Sequence, residues 1–89
     1  MPRAILKFQL PETFKIIPID IPQGAIILQA GMQRGVAYIW ADCLTEAPIE
    51  KRNLKIFATG EEVPLNTKHI KTFFEKEATF VWHLFEIIS

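Results

Sequence analysis

The chain has 89 residues, 49% hydrophobic and 22% charged, which fits one domain and excludes disorder as a description of the whole. Ten basic side chains balance ten acidic ones, so the excess of positive charge that direct nucleic-acid binding relies on is missing. The single cysteine, Cys43, excludes an internal disulfide and suits a reducing compartment, and no apolar run approaches the roughly 20 residues of a membrane helix, so the expectation is a cytoplasmic protein with no membrane partner.

Apolar residues recur with period two or in short runs rich in β-branched and aromatic side chains, which predicts strands rather than helices. The first strand falls at residues 4–9, where Lys7 and Gln9 interrupt the apolar run and leave no signal-peptide core. Pro11 and Glu12 turn the chain into a second strand at residues 14–19. Pro18 removes a ladder donor there, which assigns that strand to an edge or a bulge. Pro22, Gln23 and Gly24 form a turn, and residues 25–32 make a third strand with Gly31 as the expected bulge. Gln33, Arg34 and Gly35 then close a hairpin onto residues 36–44, the strongest local signal in the chain.

Residues 45–52 are the longest polar interruption and read as a loop, with at most one helical turn starting near Pro48. Strand character resumes at residues 54–59 and ends at Gly60. A loop over residues 61–68 leads to a closing hairpin, residues 69–74 and 79–87, across the charged turn Glu75, Lys76 and Glu77. The expectation is a mainly β domain over residues 1–89: about seven antiparallel strands in a small sandwich or partly open barrel. If each strand pairs with its sequence neighbour, Glu12, Arg34 and residues 61–68 gather at one end. Gly24, residues 45–52 and residues 75–77 then gather at the other.

Two strands are apolar on both faces. In the last, Phe80, Trp82 and Leu84 point one way and Val81, His83, Phe85 and Ile87 the other; in the fourth, Val36, Tyr38 and Trp40 oppose Ala37, Ile39, Ala41 and Cys43. Either these strands are central in a closed barrel or sandwich whose second face meets residues 45–52, or the second face is an interface for self-association or for a partner.

Candidate chemistry is sparse. Cys43 with His69 or His83 is the one possible thiol and imidazole set, but Cys43 lies in an apolar strand and reads as a core thiol. No paired His or Cys spacing suggests a metal site, and Gly24, Gly31, Gly35 and Gly60 form no phosphate-cradling motif. The expectation is therefore a protein with no cofactor and no enzymatic activity. What remains are aromatics, Tyr38, Trp40, Trp82 and Phe85, as contact or base-stacking residues. Arg34 and Arg52 are the cations that would accompany them against phosphate.

The segments Pro22-Gln23-Gly24-Ala25-Ile26-Ile27-Leu28, Tyr38-Ile39-Trp40-Ala41, Ala58-Thr59-Gly60 and Phe80-Val81-Trp82-His83-Leu84-Phe85-Glu86 resemble a family of small bacteriophage and bacterial proteins of unknown function. Gln33-Arg34-Gly35 stands where an Asn-Gly type of turn is expected. The resemblance implies a phage or prophage setting and assigns no functional residue. It leads to the expectation of a binding protein that engages a host protein, in the manner of an inhibitor of bacterial immunity such as an anti-CRISPR. The alternatives are an oligomeric sponge for a small signalling nucleotide and a structural part of a virion.

Overall fold

Apolar alternation at period two, punctuated by proline and glycine turns, produces an all-β chain. The computed structural model describes residues 1–75 and 80–88, and none of these is helical. The strands are β1 (Arg3–Leu10), β2 (Ile17–Pro22), β3 (Ile26–Gln33), β4 (Val36–Leu44), β5 (Ile49–Ala58), β6 (Thr67–Phe74) and β7 (Val81–Ile87). They form two antiparallel sheets, β1-β4-β3 and β2-β5-β7-β6. The sheets face one another as a sandwich, not a closed barrel, and β3 and β6 meet along one side.

The core lies between the sheets. Ala37, Ile39, Ala41 and Cys43 of β4 point inward against Ile17, Ile19 and Ile21 of β2, Leu54 and Ile56 of β5, and Leu84 of β7. Burying a large aliphatic side chain contributes roughly 1.5 to 3 kcal/mol. This layer therefore holds the two sheets together.

Proline places β2 where the sequence predicts it. Pro18 and Pro22 lie on an edge strand, bonded on one side to β5, where a missing N–H breaks no ladder and discourages pairing with another chain. The predicted span shifts, however. Phe14 stands outside the strand, and β2 runs to Pro22 because Ile17, Ile19 and Ile21 take the inward parity.

The β3–β4 hairpin closes on a two-residue turn. Arg34 and Gly35 both have positive φ, 52° and 78°, with Gln33 paired to Val36. This is the mirror-image turn that Asn-Gly usually makes, because its twist matches that of the strands. The bulge in β3 falls between Ile27 and Gln29 rather than at Gly31, which pairs in register with Tyr38.

Residues 45–52 correct the sequence reading most. No helical turn forms near Pro48. The chain turns tightly after Leu44, with Ala47 N donating to Leu44 O at 3.0 Å, and β5 starts at Ile49. Pairing of Ile21 with Glu50 and Ile19 with Arg52 sets these polar residues at inward-facing positions near the end of the sandwich, where the apolar alternation is interrupted. The segment therefore covers no second face. The outer residues of β4 and β7 face away from the core.

The loop ends also regroup. Both β5 and β6 run antiparallel to β7, so residues 59–66 carry the chain back along the sandwich instead of turning a hairpin. Glu75 consequently joins Glu12 and the β3–β4 turn at one end. The turn residues Lys76 and Glu77, and Thr79 at the start of the predicted last strand, lie outside the described residues.

Candidate interaction face and end cavity

The candidate residues separate into five places. Tyr38 and Trp40 share the outer face of β1-β4-β3, Phe85 lies on the outer face of the other sheet, Trp82 faces inward at one end, and Arg52 lies at the opposite end. Arg34 stands in the β3–β4 turn. The sequence reading groups these six side chains, and the structure does not bring them together.

On the three-stranded sheet, outward parity exposes Ile5 of β1 and Ile26 of β3, both 63% accessible, on either side of Asp42 of β4. Arg3 donates through Nε and Nη2 to the two oxygens of Asp42, at 2.8 and 2.6 Å. The hydrogen-bonded Arg3 guanidinium holds the Asp42 carboxyl below its ordinary range. Beside this pair the Tyr38 and Trp40 rings sit 6.1 Å apart. Lys7 Nζ stands 4.4 Å from the Tyr38 ring centre and donates to Gln33 Oε1 at 3.1 Å. Rigid aromatics, exposed aliphatics and a few fixed polar groups thus share one side of the sheet.

The outer face of the four-stranded sheet carries a polar chain. Thr72 Oγ1 is 2.9 Å from His69 Nε2 and 2.9 Å from His83 Nδ1, and His83 Nε2 is 2.8 Å from Thr59 Oγ1. A hydroxyl has one proton, so Thr72 can donate to only one imidazole, while its oxygen can accept from the other. Phe85 packs edge-on against Phe57 and His69. Cys43 is fully buried on the inner face of the opposite sheet, and desolvation first of all pushes its thiol up in pKa. The four-stranded sheet itself separates that thiol from the imidazoles, so the one thiol and imidazole set of the sequence does not form.

Arg52 is a tie between sheets. Its Nε and Nη2 donate to the Glu86 carboxylate at 2.7 and 2.6 Å, and Nη1 donates across the sandwich to Ala25 O at 2.6 Å. Both side chains are largely shielded, at 18% and 15% accessibility. The Glu86 hydrogen bond raises the Arg52 pKa, so the charge is permanent. A guanidinium engaged on all three nitrogens is not free to meet a phosphate unless the tie opens.

Trp82 marks a cavity that local sequence patterns did not reveal. The cavity is about 300 Å³, with Ile56 and Phe73 deep in it, Phe14 and Trp82 at its walls, and Glu12 and Glu75 among its lining. Trp82 Nε1 donates to Glu75 Oε1 at 3.0 Å, and its ring centre lies 5.2 Å from Phe14 and 5.5 Å from Phe80. Phe14, placed in a strand by its apolar neighbours, instead belongs to the β1–β2 link and packs on a ring 68 positions away. No short-range spacing encodes such a contact.

Comparison with curated proteins and with solved structures gives no match. Residues 1–88 match a domain of unknown function, DUF7352, and the chain belongs to that family.

Proposed function

We propose that the protein is a non-enzymatic binding module that docks a partner protein on the outer face of β1-β4-β3. The observation that supports this reading is the exposure of Ile5 and Ile26 beside Tyr38 and Trp40 on one sheet face. Tyr and Trp are enriched at the energetic centres of interfaces because they bury much area with few rotors to freeze. The Arg3–Asp42 pair would fix orientation more than affinity. In the phage setting that the resemblance implies, the partner is a host protein in the host cytoplasm, and the module acts as a stoichiometric inhibitor of bacterial immunity.

Alanine at Tyr38 and Trp40 tests the reading against alanine at Phe85 on the opposite sheet. The expected result is that Y38A/W40A keeps its β circular dichroism and a cooperative melt but no longer retains the partner that the wild type captures from host lysate. F85A should retain it. Equal loss in both variants, or no partner captured by the wild type, contradicts the proposal.

A further inference from the structure

We propose that the end cavity binds an alkylguanidinium, the cationic group and apolar stem of an arginine side chain. The cavity and its walls are apolar, yet the formal charges on its described lining, Glu12 and Glu75, are both negative, and no described lining residue is basic. Glu12 is exposed and Glu75 part-buried, so the carboxylates are ionised without a ligand; they would repel an anion and favour a cation over an uncharged apolar ligand. A cation with a short hydrocarbon stem suits both the apolar lining and the carboxylates.

Shape narrows the cation to guanidinium. Its flat, weakly hydrated plane stacks on aromatic rings and gives paired N–H donors to a carboxylate. An ammonium is a compact, strongly hydrated point charge with no plane to stack. Phe14 and Trp82 supply aromatic walls. The indole N–H occupies Glu75 Oε1, which orients that carboxylate and leaves its Oε2 for a ligand donor. At about 300 Å³ the cavity holds on the order of ten heavy atoms, judged by the ~30 Å³ share of one water in the liquid. The butylguanidinium skeleton fits that limit.

The molecule itself shows the chemistry at its other end, where Arg52 lies between the sheets against Glu86 and a backbone carbonyl. There the chain provides its own guanidinium. At the Trp82 end it has the carboxylates and the aromatic walls without one among the described lining residues. The site is independent of the outer sheet face, so either proposal can fail alone.

The test is a titration of ¹⁵N-labelled full-length protein with n-butylguanidinium, followed at the Trp82 indole N–H. Its resonance is identified by comparison with W40F, since the chain has two tryptophans. The neutral isostere n-butylurea is the control, and N-acetyl-arginine methylamide tests whether an arginine within a polypeptide can reach the cavity. The expected result is a saturable Trp82 shift with n-butylguanidinium, with a Kd on the order of millimolar for so small a ligand. Butylurea should bind at least fivefold more weakly. E12Q/E75Q, in which the new amide oxygen at position 75 can still accept from the indole, should remain folded and lose most of the preference for the cation. A shift with the capped arginine as well identifies a partner's side chain as the source, and a shift with butylguanidinium alone identifies a free small cation. Equal binding of butylurea, unchanged binding in E12Q/E75Q, or no saturable Trp82 shift overturns the proposal.

Discussion

The two ends of the sandwich combine charge with apolar surface in opposite ways. At the Arg52 end a guanidinium, a carboxylate and a backbone carbonyl satisfy one another, and the hollow beside them, about 280 Å³, is lined by both charges of the pair together with Lys68 and His69. At the Trp82 end two carboxylates line a cavity with aromatic walls. The same inward parity that is structural at one end is receptive at the other. The part-buried ion pair thus holds the start of β3 against β5 and β7, whereas the carboxylates at the Trp82 end are, in our proposal, a matter of binding.

The largest expected effect breaks the tie at the Arg52 end. Arg52→Leu leaves Glu86 shielded from water without its partner, and removing one member of a buried pair costs about 3 kcal/mol. The double change Arg52→Met with Glu86→Leu should come back to within about 1 kcal/mol of the wild type, since an apolar pair of similar volume replaces both charges. Urea denaturation of the three proteins checks this; a single variant as stable as the wild type would show that the tie holds nothing. At the other end Trp82→Ala should cost about 2 kcal/mol, less than the roughly 3 to 5 kcal/mol typical of a fully buried ring because the indole is half-buried. Glu75→Gln should stay within about 0.5 kcal/mol, and a larger loss would mean that the charge at this end is structural after all.

A smaller effect sharpens the account of the β3–β4 turn at the same end. Arg34 occupies a left-handed conformation that Asn tolerates better, so Arg34→Asn should raise stability by about 0.5 to 1 kcal/mol. A lowered melting temperature would contradict the turn geometry. The smallest effect is acid dependence near the Arg52 end. The Asp42 carboxyl titrates below its ordinary range when folded, so its contribution is present above the unfolded value near pH 4 and fades as pH falls through the lower folded value. Asp42→Asn should flatten the stability profile below about pH 4, and less so in high salt because the Arg3 side chain of the pair is exposed.

Much of this architecture can be read from local patterns. The two parities of β4 and β7 emerge from period-two spacing, and Pro18 identifies its strand as an edge. The Arg34-Gly35 turn follows from its place between two apolar runs. The first half of β5 escapes that reading, because Glu50 and Arg52 occupy inward positions normally apolar and the strand therefore resembles a polar loop. Which strands share a sheet escapes it too, since β1 pairs with β4 and β2 with β5 across long stretches of chain. The end cavity is the extreme case: Glu12, Phe14, Glu75 and Trp82 become neighbours only when the sheets stack and residues 59–66 return the chain. Period-two spacing puts Tyr38 and Trp40 on one face of β4 without deciding whether that face is core or surface, whereas Arg52 reads as available to a ligand because its partner Glu86 is 34 residues away.

The most direct test of the proposed binding role is site-specific photo-crosslinking in host cells. A photoreactive phenylalanine analogue replaces Ile26 on the outer face of β1-β4-β3 in one experiment and Asp20 on the outer face of the other sheet in a second. A single defined adduct from position 26, lost when Trp40→Ala is added, with none from position 20, is the result this account predicts. No adduct from position 26, or the same adducts from both faces, would contradict it.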